Sequence, residues 1–404
     1  MATLHKSADL KRCFLIHYGE LALKGGNRRL FEAALARNME MALKAENVKQ
    51  VKNIRGRIVV DLNGDSNRTA IEARLKKIFG IANFSAAYVF KFGDFANIKE
   101  EFKNLGDEIL KIAGNLKFAS FKIDARRAEK TFPKTSREIN EEIGALVQKS
   151  SGAKVDLTNP DLTIWVEIAG KTAFIYTEKI QGAGGLPSGV SGRLVSLISS
   201  GFDSPLAAWR MMKRGCEIIF IHFHSYPQTT LASKENVEQI VKILAGWQKD
   251  LSAKIYFIPF LNIQKEITLK TPDELRVVLY RRFMVRIAER LAKDNMAKGL
   301  ITGDSVGQVA SQTLENIEVI SNAASLPIFR PLCGLDKEEI IAGAKQIETC
   351  EISSRPYEDC CGLFTPEHPA TRAKLPEVEE AEKSLDIENL VKNALMKAES
   401  KIVS

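Results

Sequence analysis

Three stretches of this chain gather residue types that could do chemistry. The first is Ser199-Ser200-Gly201-Phe202-Asp203-Ser204-Pro205, which follows the apolar run Leu194 to Ile198. Small residues there let backbone N–H groups converge. Two hydroxyls and a helix N-terminus then point at an anion. Pro205 suits a first helical turn, where no N–H is lost. The loop lacks the lysine and the length of a G-x-x-x-x-G-K-[ST] phosphate loop, and a plain structural turn is the alternative. The second stretch, Thr302-Gly303-Asp304-Ser305-Val306-Gly307-Gln308-Val309-Ala310-Ser311-Gln312-Thr313, is rich in glycine, hydroxyl and amide groups and suits contacts to ribose, base or phosphate. The third, Arg355 to Pro366, sets Cys360-Cys361 among acids and prolines. Exposure of that kind favours thiol chemistry. Metal binding is disfavoured, since adjacent side chains do not readily share one tetrahedral ion and no C-x-x-C spacing occurs.

These stretches need a scaffold, and the second half of the chain supplies a βα rhythm. Strands are expected at Leu194–Ile198, Glu217–Phe223, Lys254–Ile258 and Leu300–Thr302. Helices are expected from Pro205 to Arg214, around Val237 to Ala245, and from about Asp273 to Lys293. Such alternation predicts a parallel, doubly wound sheet with a ligand crevice at the strand C-terminal ends, where the first loop sits. His222-Phe223 close a strand there, with His224-Ser225 just beyond, and could flank a planar base. Arg281 or Arg282 on the long helix could reach phosphates. Simple packing of the histidine and a solvated helix face for the arginines are the alternatives. The first half has an α+β pattern that repeats with variation from about residue 75. The glycine-rich segment 182–192 is the clearest linker. The final stretch, Pro376 to Ser404, reads as an amphipathic helix appended to the body.

Composition bounds the class. A chain of 404 residues calls for two or three domains, and 45% apolar residues are ordinary for a globular protein. No apolar run approaches a membrane span, and the start lacks a signal peptide; with six scattered cysteines, a cytoplasmic protein with free thiols is expected. The charge is divided unevenly. Residues 1–190 hold 31 Lys and Arg against 22 Asp and Glu, a net of +9, whereas residues 191–404 hold 27 against 28, a net of −1. That asymmetry favours polyanion binding in the first half and chemistry in the second. The candidate phosphate contacts are Lys24 and Arg28, with Arg29, Arg55 and Arg57 nearby, and Arg126, Arg127, Lys130 and Lys134. For any one of these, a solvated surface charge is the alternative.

Taken in order, the segments resemble the ThiI family of tRNA 4-thiouridine synthetases, or tRNA sulfurtransferases. The match runs from Tyr18-Gly19-Glu20 through Asn27-Arg28, Phe132-Pro133, Gly185-Leu186-Pro187, the Ser199–Ser204 loop, His222-Phe223-His224-Ser225, Gly303 to Thr313, and Tyr357 to Phe364. The strings Gly-Gln-Val-Ala-Ser-Gln-Thr and Tyr-Glu-Asp-Cys-Cys are its most specific parts. The resemblance implies a ferredoxin-like domain at 1–74, a THUMP RNA-binding domain at 75–181, the linker at 182–192, a PP-loop ATP pyrophosphatase domain at 193–375 and a helical tail at 376–404. It places Leu197, Ile198, His222, Phe223, Arg281, Gly303 and Gln312 at ATP contacts. Ser199, Gly201, Asp203 and Ser204 fall in the pyrophosphate loop, with Asp203 taken as catalytic. Cys361 matches the family's sulfur-acceptor cysteine. ATP and Mg2+ are the implied cofactors, with no resident metal site. Transfer RNA and a cysteine desulfurase are the implied partners, and a homodimer would suit a tRNA straddling two RNA-binding halves.

Two departures stand out. Ser200 replaces a glycine of the family loop. The chain also matches a short form without a rhodanese domain, so that sulfur reaches this domain directly or through another protein. The family's role in supplying thiamine thiazole sulfur, in which the rhodanese domain is implicated, is then less expected. Within this reading Cys361 carries a persulfide, and Cys360, Cys333 or Cys350 resolves it as a disulfide. Two alternatives remain at this point: another adenylating RNA-modifying enzyme, and a non-catalytic RNA-binding protein with a degenerate nucleotide site.

Overall fold

The computed structural model describes residues 10–54, 56–93, 95–356 and 364–404. Arg55, Cys360 and Cys361 therefore lie outside the described residues. The chain divides into two compact units, 1–185 and 186–404.

Among the described residues the first unit is built on one nine-stranded sheet. Its strands are β1 (Lys11–His17), β2 (Val48–Ile54), β3 (Arg57–Leu62), β4 (Asn83–Lys91), β5 (Ser120–Arg127), β6 (Lys154–Val155), β7 (Leu162–Ala169), β8 (Thr172–Tyr176) and β9 (Ile180–Gln181). The main path runs β2-β3-β1-β4-β8-β7-β5-β6, and β9 pairs with β4. The central strand β4 bonds to β1 on one side and to β8 on the other, so the two α+β regions share a continuous sheet. Helices α1 (Arg28–Ala42), α2 (Arg68–Lys76), α3 (Ile98–Ala113) and α4 (Ser136–Ser151) complete the unit. Helix α4 starts with a capping box in which Thr135 and Glu138 satisfy each other's backbone N–H groups. The strand β2 is not legible in the sequence, because lysines, a glutamine and an asparagine interrupt its apolar positions and it lies at the sheet edge.

Among the described residues the second unit has six strands: β10 (Arg193–Leu197), β11 (Glu217–His224), β12 (Ala253–Pro259), β13 (Leu300–Ile301), β14 (Ile328–Phe329) and β15 (Glu399–Val403). Their order is β14-β13-β10-β11-β12-β15, and the first five run parallel. The winding reverses between β10 and β13, which opens a crevice beyond their C-terminal ends. Around the sheet lie α5 (Asp203–Lys213), α6 (Ala232–Ala245), α7 (Leu261–Lys270), α8 (Arg276–Asp294), α9 (Leu314–Ser321), α10 (Lys337–Gln346) and α11 (Cys350–Ser353). The buried strands read as continuous apolar runs, as a sheet covered on both faces requires.

The tail differs from the expected appended helix. It forms α12 (Leu375–Glu382), α13 (Ile387–Met396) and then β15, which pairs antiparallel with β12 along Ala253 to Phe257. Val378, Leu390, Val391 and Ala394 enter the main core of this unit. Glu382, 5% exposed, takes paired hydrogen bonds from Arg282 at 2.9 Å and from Arg286 at 2.6 and 2.8 Å. Arg282 is thus buried rather than on a solvated helix face. Two guanidinium groups around one carboxylate make removal of that carboxylate costly.

Candidate nucleotide-binding site

The crevice at the switch point holds a cavity of about 500 Å³. One wall is the loop after β10. Leu197, Ile198, Ser199, Gly201, Asp203 and Ser204 all line it. The loop is wired internally: the Ser204 hydroxyl accepts the Ser199 N–H at 2.8 Å, and the Gly201 N–H reaches the Ser199 hydroxyl at 3.4 Å. These bonds fix the turn before any ligand arrives. Pro205 sits in the first turn of α5, where the missing N–H costs nothing. Ser200 is fully buried, its hydroxyl has no hydrogen-bond partner among the described residues, and its backbone is not in the left-handed region. Serine therefore fits the turn without backbone strain.

The opposite wall follows β13. Gly303 backs directly onto the first loop, and a Cβ there would stand 2.7 Å from the Ser204 backbone nitrogen. Only glycine allows that approach. Asp304, 7% exposed, lies between Arg281 and Arg330 at 3.2 Å each and accepts a hydrogen bond from the Thr302 hydroxyl at 2.6 Å. Burial works to raise its carboxyl, yet Arg281, Thr302 and Arg330 together hold it below the usual carboxylate range. Two cations around one anion leave the cluster net positive, and Arg281 lines the cavity. Gln312 also lines it. Its side chain is 6% exposed, and Oε1 lacks a hydrogen-bond partner among the described residues. A ligand N–H would satisfy that acceptor.

His222 and Phe223 complete the set, so each of the ten residues expected at nucleotide contacts lines this cavity, as does Asp203. The two rings also serve the sheet. His222 Nδ1 lies 3.0 Å from the Ile198 carbonyl, and Phe223 stands edge-on to Phe260 at 5.4 Å. Sequence reasoning missed Lys337. Its ammonium lies 3.0 Å from Asp203 Oδ1, and Gln308 Nε2 reaches Asp203 Oδ2 at 3.4 Å. The signal was a lone lysine behind an Asp336 cap, which does not differ from an ordinary helix start. Asp304 was likewise passed over within its polar run.

The cysteines sort by environment. Burial and Asp61 push the Cys13 thiol up to about 12, and burial also raises Cys216. Cys333 is exposed and Cys350 half-buried. Among the described residues no group of His, Cys, Asp and Glu is placed to hold a metal ion, and no helix is long and apolar enough to cross a membrane.

The six candidate RNA contacts of the first unit divide in two. Arg126 and Lys130 are exposed, although the Arg126 guanidinium also pairs with Asp124 at 3.2 Å. Arg127 instead donates to the carbonyls of Lys130, Phe132 and Lys134, each at 3.2 Å, and so shapes its own loop. Lys134 pairs with Glu142 and lies over the Phe102 ring. Arg28 pairs with Glu32 at 2.6 Å, and Lys24 with Glu20 at 3.2 Å. Phe132 is buried in a phenylalanine cluster with Phe92, Phe95 and Phe102.

A small-residue loop at the switch point of a doubly wound sheet, over a cavity with an arginine and a buried amide, defines a PP-loop α/β domain. Residues 189–387 match the family described as thiamine biosynthesis protein (ThiI), residues 13–85 the ThiI ferredoxin-like domain, and residues 93–178 the THUMP domain. The chain is 44% identical over 385 residues to a probable tRNA sulfurtransferase of Caldanaerobacter subterraneus subsp. tengcongensis, covering 95% of this chain and 98% of that protein. A probable tRNA sulfurtransferase of Coxiella burnetii is 41% identical over 397 residues, 97% of this chain and 99% of its own length. A crystal structure of a 4-thiouridine synthetase–RNA complex with bound ATP superposes with a TM-score of 0.87 at 35% identity, covering 98% of this chain and all of that one. The chain belongs to the ThiI family.

Proposed function

We propose that this chain is an ATP-dependent tRNA sulfurtransferase that converts a uridine to 4-thiouridine. The observation that carries the reading is the cavity framed by Ser199–Ser204, Gly303, Arg281 and Gln312, in a chain similar end to end to a synthetase that binds RNA and ATP. The N–H groups of the Ser199–Ser204 loop and the N-terminus of α5 would hold the pyrophosphate part of ATP. Arg281 would stand against the α-phosphate, kept in place by Asp304. Gln312 Oε1 would accept an N–H of the base.

Asp203 and Lys337 would face the triphosphate. Asp203 is the carboxylate at this cavity not held by guanidinium groups, and one carboxylate with phosphates is the set Mg2+ favours. When bound there, the ion would neutralise charge on the leaving pyrophosphate.

Uridine O4 attacks the α-phosphorus and pyrophosphate leaves. The terminal sulfur of a Cys361 persulfide attacks C4, the C4–O4 bond breaks, and AMP departs with O4. A second thiol then attacks the Cys361 sulfur, releasing 4-thiouridine and forming a disulfide that an external dithiol reduces. Cys333 and Cys350 are candidates for that thiol besides Cys360, whereas the raised Cys13 and Cys216 thiols are poor nucleophiles at neutral pH. Exposed Arg126 and Lys130 would contact the RNA backbone. A cysteine desulfurase would supply the sulfur, in the cytoplasm where tRNA and desulfurase meet, and a homodimer would present two RNA-binding units. The same persulfide could serve thiamine thiazole formation.

The test is thiolation of unmodified tRNA with ATP, Mg2+, cysteine and a desulfurase, read by the near-ultraviolet absorbance of 4-thiouridine. Wild type is expected to thiolate and Cys361→Ala to release pyrophosphate without thiolating. Thiolation by both would remove Cys361 from the acceptor role. Pyrophosphate release with no thiolation by either would favour another adenylating chemistry.

A further inference from the structure

The second wall of the cavity is held by one side chain that does not touch the cavity. Asn316, in the first turn of α9, is 0% exposed. Its Nδ2 donates to the Ala310 carbonyl at 2.7 Å and to the Ala370 carbonyl at 2.8 Å, and its Oδ1 accepts the Ala373 N–H at 3.0 Å. Both amide protons and one acceptor are therefore engaged by backbone from two separate segments.

Those segments matter to the site. Ala310 belongs to the run Gln308 to Gln312, all of which lines the cavity. Ala370 and Ala373 belong to a strap, 364–374, without helix or strand. Two of its residues, Thr365 and Pro369, line the same cavity. A strap of this kind has no ladder to hold it. Another backbone tie is the Ala370 N–H donated to the Glu274 carbonyl at 2.9 Å. In sequence Thr365, which lines the cavity, follows Cys361 by four residues.

We infer that Asn316 is a positioning residue, which clasps the nucleotide loop to the strap that follows Cys361 in sequence. The part concerning sulfur transfer rests on the proposed function. A thermally stabilising amide alone would hold the two segments for the sake of the core. A positioning amide must in addition couple nucleotide affinity and sulfur delivery to the strap.

Asn316→Asp tests this with little change in shape. It keeps the acceptor for the Ala373 N–H but turns two donors into an oxygen that faces two carbonyls. Asn316→Ala removes all three bonds, and the Asp variant stands in if the Ala variant does not fold. Trypsin cleavage after Arg372 and Lys374 reads the strap, calorimetry reads ATP affinity, and pyrophosphate release against thiolation reads the two chemical steps, all on the full chain. Loss of two buried hydrogen bonds predicts cleavage about tenfold faster or more, with unchanged cleavage elsewhere. ATP is expected to bind several-fold more weakly, and thiolation to fall about tenfold further than pyrophosphate release. Equal losses in both steps with unchanged strap cleavage would overturn the inference and leave Asn316 a core residue. If wild type binds ATP but does not thiolate, the proposed function fails. Cleavage and ATP affinity then still decide whether Asn316 clasps the strap to the nucleotide loop.

Discussion

The two units use charge in opposite ways. The first carries all of the excess positive charge, yet part of it is committed internally: Arg127 holds three carbonyls of its own loop, and Lys134 is paired with Glu142. The second unit is close to neutral, yet it buries two clusters of paired arginines, around Asp304 and around Glu382, and turns Arg281 into a cavity. Net charge therefore reports what long-range field a unit offers, not which cations are free to meet a ligand. Desolvation decides the second question, because a guanidinium placed beside a buried carboxylate is fixed in position rather than diffuse on a surface.

The first unit has its own buried charge, and it sharpens the contrast. Glu167, 3% exposed, accepts from Tyr176 at 2.5 Å, lies 2.8 Å from His17 Nε2 and pairs with Arg57. Burial would raise its carboxyl, but His17, Arg57 and Tyr176 pull it down to about 2. This cluster ties β1 and β3 to β7 and β8.

The largest effect is expected at Asp203. Asp203→Asn should lower pyrophosphate release about 10²–10³-fold with tRNA affinity unchanged in a filter-binding assay, since it removes a charge aimed at the phosphates. Next, Arg281→Ala should raise the ATP KM about tenfold to a hundredfold, while Arg282→Ala should instead destabilise the unit, separating a cavity arginine from a buried one in the same turn. Equal ATP affinity in the two variants would break the comparison.

Glu167→Gln should cost about 3 kcal/mol of stability in urea titration, without affecting ATP affinity. The pH sign follows from a depressed carboxyl. Its contribution is fully present above the unfolded value of about 4.3 and is lost as pH falls towards about 2, so the variant and wild type should converge in stability across that window.

Among the basic residues, the double variant Arg126→Ala and Lys130→Ala should weaken tRNA binding and reduce the salt slope by about 2. Arg127→Ala should lower stability by about 1–3 kcal/mol and affect tRNA affinity only through the loop it shapes. The smallest effect is expected for Ser200→Gly. Removing an unpartnered buried hydroxyl and adding backbone freedom nearly cancel, so thiolation should stay within about twofold of wild type.

The sequence by itself carried the βα rhythm, the loop at Ser199–Ser204, the run from Gly303 to Gln312 and the division of charge. Local spacing and turn chemistry write these directly into the chain. Its ten candidate nucleotide residues come from four separate segments, and a parallel sheet with its switch point between β10 and β13 gathers them because strand ends converge there. Only the tertiary structure could decide the rest. The tail becomes part of the sheet and core because β12 leaves an edge that Glu399 to Val403 can pair with, and alternation over five residues is too short to announce that. Lys337, Asp304 and Asn316 owe their significance to partners distant in sequence, such as Asp203 for Lys337, Arg281 for Asp304 and Ala370 for Asn316. A side chain's role at that range is set by which backbone and charges packing brings to it, and no pattern of neighbours in sequence records it.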